Sequence, residues 1–68
     1  MNEDTLNMTT RKFLKKVGVT SQREIEQAVY KAIESGDLKG SDSLEVHMTL
    51  SIPRLDINHQ IDGEISLE

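Results

Sequence analysis

The chain has no cysteine and no tryptophan, and only one proline, one phenylalanine and one tyrosine. Without cysteine there can be no disulfide and no thiolate zinc site, two of the usual supports of a small domain. With Phe13 and Tyr30 as the only aromatics, the alternating rings and cations of a single-strand nucleic-acid surface cannot be assembled. No stretch nears the roughly 18 apolar residues of a membrane span. The opening MNEDTLNM also lacks the basic start and apolar run of a secretory signal. A cytoplasmic protein with no membrane partner is the expectation.

What is present fits a single small domain over residues 1–68. A chain of this size buries only about 60% of the surface its unfolded form exposes, so it needs a supplement such as a partner chain. The net charge of −4 is unevenly placed: residues 1–40 carry five Lys and two Arg against six acids, and residues 41–68 one Arg against six acids. The anionic C-terminal part disfavours contact with nucleic acid or an anionic membrane.

Two N-terminal helices are predicted. Leu6, Thr10, Phe13, Leu14 and Val17 fall on one stripe of a helix from about Glu3 to Val17, with Glu3 and Asp4 at its start and Arg11, Lys12, Lys15 and Lys16 toward its end. Gly18 reads as its stop. SQRE, Ser21 to Glu24, has the pattern of a capping box for a second helix, on which Ile25, Ala28, Val29, Ala32 and Ile33 form an apolar face and which Gly36 ends.

From Leu44 to Ile52 and from Leu55 to Leu67 the pattern changes to alternation, with Pro53 in the connection. Leu44, Val46, Met48, Leu50 and Ile52 share one parity on the first strand. Leu55, Ile57, Ile61, Ile65 and Leu67 share one on the second. The expected architecture is α+β in the order ααββ, a helical pair packed on one face of an antiparallel hairpin, with Phe13, Ile25 and Val29 in the core. Counted this way the second strand outruns the first and leaves Ile65 and Leu67 without cross-strand partners. These two are the candidate dimer contacts, in a homodimer whose hairpins join edge to edge. Asp62 and Gly63 form either a turn or, as the unbroken parity favours, a bulge or continuous strand.

The whole chain, and especially MNEDTLNM, RKFLKKVGVTSQREIE, SGDLKG and DGEISLE, resembles a family of very short bacterial proteins known as a domain of unknown function. The resemblance implies a free-standing bacterial protein and transfers no activity, ligand or site residue.

No motif names an activity. The two histidines, His47 and His59, have opposite parities and no carboxylate at a ligand spacing, so no metal is expected. No nucleophile–base–acid arrangement, phosphate-cradling loop or dinucleotide fingerprint is present, and neither catalysis nor a cofactor is expected. Arg11, Lys12, Lys15 and Lys16 are candidate contacts for an acidic or phosphate-bearing partner, set against dipole compensation on a solvated helix face. Tyr30, off the apolar face, is a candidate partner anchor, set against an ordinary surface aromatic. The reading is a small non-enzymatic protein-interaction or assembly module. The alternative is a winged-helix-like nucleic-acid-binding protein, whose order of two helices and a hairpin matches. Its reading helix would carry Glu24, Glu26 and Glu34 against Arg23 and Lys31, a poor match to phosphate.

Overall fold

The computed structural model describes residues 1–68 and contains one long helix and one antiparallel hairpin, an α+β chain. It divides into two units, Met1–Asp37 and Leu38–Glu68.

The first unit is a single helix, α1, from Glu3 to Ser35, 33 residues long. Asn2 caps its N-terminus, its side-chain oxygen accepting from the Thr5 N–H at 3.1 Å, and the acids Glu3 and Asp4 occupy the first turn. At the other end Gly36 takes a left-handed φ of 86°. The Gly36 N–H donates to Ile33 and the Asp37 N–H to Ala32, the paired closing bonds of a Schellman motif.

The predicted pair of helices is therefore corrected to one. Gly18 has no left-handed φ, unlike Gly36, and nothing stands within 4 Å of where its Cβ would be. A glycine inside a helix costs only about 1 kcal/mol relative to alanine, and Val19 and Thr20 cost less. With no proline nearby, that penalty does not stop a helix that continues well on both sides. The capping-box pattern at Ser21 goes unused, because in mid-helix the N–H groups it would satisfy are already bonded within the helix.

The second unit is the hairpin: β1, Ser43–Ile52, a 3-10 turn, Pro53–Leu55, and β2, Ile57–Ser66. Proline's fixed φ suits the first position of the turn, and Asp56, at φ 56°, supplies the left-handed residue that sends the chain back, its N–H donating to the Pro53 carbonyl at 3.1 Å. The register is regular from Ser43 opposite Ser66 to Ile52 opposite Ile57. Gly63 lies opposite Val46 within the ladder, so Asp62–Gly63 is continuous strand, neither turn nor bulge.

The expected mismatch in strand lengths also fails. Each strand has ten residues, and Leu55, counted as the start of the second strand, belongs to the turn. Ile65 pairs with Leu44, and the Leu67 N–H donates to the Asp42 carbonyl at 3.1 Å, so neither lacks a neighbour on the opposing chain segment.

Neither unit encloses a core of its own. No residue of α1 is buried, and none in the hairpin. Phe13 is 54% exposed, and Ile25 and Val29 are half-buried.

Candidate association surfaces

On α1 the two stripes predicted for separate helices continue in phase across Gly18. Leu6, Thr10, Leu14, Val17, Ser21, Ile25, Ala28 and Ala32 follow one another at every third or fourth residue. Several recur at eleven-residue spacing, Leu6 with Val17 and Ala28, and Leu14 with Ile25, which keeps the row on one side of a nearly straight helix. Leu6, Phe13 and Leu14 remain more than half exposed.

The basic cluster falls in mid-helix. Arg11 and Lys15, and Lys12 and Lys16, are like-charged pairs four residues apart, which disfavour the helix by about 0.2–0.5 kcal/mol each. The helix runs on past Lys16 to Ser35 and has no base in its last turn, so compensation of the helix dipole does not account for these four cations. The only close contacts between basic and acidic side chains are those of His47 with Glu45 and Asp62, which leaves Arg11, Lys12, Lys15 and Lys16 without a carboxylate partner. Arg11, Lys12 and Lys15 border a shallow open groove with Asp4, Asn7 and Met8. Tyr30 is separate from them: it is 67% exposed and lines another groove on α1 with Val19, Gln22, Arg23, Glu26 and Gln27.

The hairpin has two unlike faces. One presents Leu44, Val46, Met48, Leu50 and Ile52 beside Ile65, Gly63, Ile61, His59 and Ile57, an apolar sheet surface interrupted only by His59. Met48 and Ile61, opposite one another, are 39% and 54% exposed. The other face is polar throughout. There His47 Nδ1 lies 2.7 Å from Asp62 Oδ1, and the Gln60 amide donates to the same oxygen at 2.7 Å. The Gln60 nitrogen is also 3.4 Å from His47 Nδ1. Both nitrogens serve the carboxylate best if the ring proton sits on Nδ1, and this assigns the tautomer from the network. The bond from Gln60 first, and that from His47 second, hold the Asp62 carboxyl below its ordinary value of 3.8. Ser43 donates to Glu64 on the same face.

The His47–Asp62 pair was missed in the sequence. Both residues lie on polar rows, but pairing them needs the register, and the register needs the turn placed at Pro53–Asp56. Chemically the pair resembles a base with its orienting carboxylate, yet no hydroxyl bonds to the ring, and Nε2 faces Glu45 at 3.8 Å. It ties the strands together. No group of three or more His, Asp or Glu side chains is placed to hold a metal ion, and no helix is long and apolar enough to cross a membrane.

These features define a small α+β chain whose helix and hairpin each carry an apolar row. Over residues 1–68 it matches, and belongs to, a family of unknown function, DUF6494. No curated protein and no solved structure matches it.

Proposed function

We propose that this protein is a small, non-enzymatic, cytoplasmic interaction or assembly module whose apolar rows are covered by association, in the first place with a second copy of itself. One observation carries the reading: Leu6, Phe13, Leu14, Ile33, Met48 and Ile61 are all more than a third exposed, and no side chain is buried to set against them. Neither element is self-sufficient. An isolated two-stranded hairpin is marginal in water, and a helix carrying Gly18 and many β-branched residues draws its stability from a covered face. Association supplies that cover, and the hairpin's two open edges offer it backbone pairing as well. The basic cluster Arg11, Lys12, Lys15 and Lys16 provides polar contacts to the same or another protein, and Tyr30, in its separate groove, is an anchor for another protein. The winged-helix alternative is not carried forward, because its helix–turn–helix requires a turn at Gly18–Thr20 that α1 does not make.

Equilibrium sedimentation at micromolar concentration tests the reading. Twice the chain mass, falling toward one chain on dilution together with the helical circular-dichroism signal, is expected. A well-folded monomer at every concentration would overturn it.

A further inference from the structure

Resting on the association reading, the charge and shape of α1 specify how two copies meet. We infer that α1 pairs antiparallel with α1 of a second copy, about a two-fold axis near Val19, the middle residue of the helix.

With Phe13 counted beside Leu14, the apolar row is symmetric about the height of that residue at every position but Leu14, whose counterpart is Glu24. Leu6 and Ala32 stand equally far from Val19, as do Thr10 and Ala28, Phe13 and Ile25, and Val17 and Ser21. An antiparallel pair therefore sets a large side chain against a small one at Leu6–Ala32 and Val17–Ser21, and two small ones at Thr10–Ala28. The bulk of Phe13, Leu14 and Ile25 is placed on either side of the axis. Apart from Leu14, which meets Glu24, ridges then meet grooves along the row, and the helices can approach to about 8–10 Å.

Charge selects the direction. In a parallel pair the segment Arg11–Lys16, with four unpartnered cations, would lie against itself. In the antiparallel pair it lies against Gln22–Gln27, where Glu24 and Glu26 outnumber Arg23. The acidic first turn, Glu3 and Asp4, lies by Lys31 and Glu34, whose charges offset one another. At 3.6 residues per turn Lys12 and Glu26 fall on the side away from the row, so the contrast lies between whole segments: four cations against themselves in the parallel pair, and against a segment with two acids and one base in the antiparallel one.

Because the chain has no cysteine, disulfide capture reads the arrangement directly. Thr10→Cys and Ala28→Cys are small changes within the row. The two positions lie about 27 Å apart along one helix, too far for a bond within a chain, yet they face each other across an antiparallel pair. On mild oxidation the double variant should run almost entirely as a covalent dimer, and an equimolar mixture of the single variants should give the mixed dimer. Each single variant alone should stay uncross-linked.

Cross-linking of each single variant with itself would show a parallel pair and overturn the proposal. No cross-linking in a protein that still sediments as a dimer would also overturn it, while leaving the association reading intact and moving the interface to the hairpin. A parent protein that is monomeric throughout would overturn both.

Discussion

At the scale of the residue, Asp62 is the side chain whose surroundings most alter its chemistry. Its carboxylate accepts from Gln60 and His47, both favouring the charged form, so its pKa lies below the ordinary 3.8. The sign for stability follows from linkage. A carboxyl whose folded pKa is depressed contributes stability that is complete above the unfolded value and is lost as pH falls through the folded one. The polar face of the hairpin should hold down to about the ordinary carboxylate range and loosen below it. A carbon-13 titration of the side-chain carboxyls should show Asp62 with a midpoint below 3.8, and Gln60→Ala should move that midpoint upward. An Asp62 midpoint at or above 3.8 in the parent would mean that these bonds do not persist in solution.

At the scale of the element, two glycines that look alike in sequence have opposite roles. Gly18 sits inside α1 without a left-handed φ and with open space where a Cβ would be, whereas Gly36 holds φ 86° at the helix end. Gly18→Ala should therefore stabilise α1 by about 1 kcal/mol, and Gly36→Ala should destabilise it by roughly 1–2 kcal/mol. Melts followed at the helical circular-dichroism band measure both. Destabilisation by Gly18→Ala would restore the stop that the sequence pattern implied. This pair marks how far local pattern could be read. The alternation of Leu44 to Ile52, the role of Pro53 and the stop at Gly36 were all legible, because each depends on a few neighbouring residues. The status of Gly18 was not, since a glycine penalty of about 1 kcal/mol decides nothing until the helical residues on both sides are counted together. A signal did exist: Val17, Ser21 and Ile25 keep helical phase across the supposed break, which two independent helices have no reason to do. On the hairpin, faces were legible from parity, but partners were not. Placing Leu55 in the strand rather than the turn hid both the His47–Asp62 pair and the partner of Ile65.

At the scale of the whole molecule, an apolar pattern written as if for a core meets a chain in which nothing is buried. The candidate contacts were legible as residue types but their settings were not, because Arg11 to Lys16 had to be seen in mid-helix before dipole compensation could be set aside. Ile25 offers the sharpest test of whether the row is covered, because the two cases differ in sign. It is half-buried in the single chain, and alanine is the better helix former by a few tenths of a kcal/mol. If α1 worked alone, Ile25→Ala would leave the melt unchanged or raise it slightly. If the row is packed against a second chain, the same change removes buried methyl groups and leaves a gap, at a cost of about 2–5 kcal/mol for a fully covered site. Tyr30→Ala is the matching control, since Tyr30 lies off the row and is 67% exposed. We expect Ile25→Ala to lower both the melting temperature and the sedimenting mass, and Tyr30→Ala to change the mass not at all and the stability by no more than about 0.5 kcal/mol. A melt of Ile25→Ala at or above that of the parent would mean that the row on α1 stays open to water.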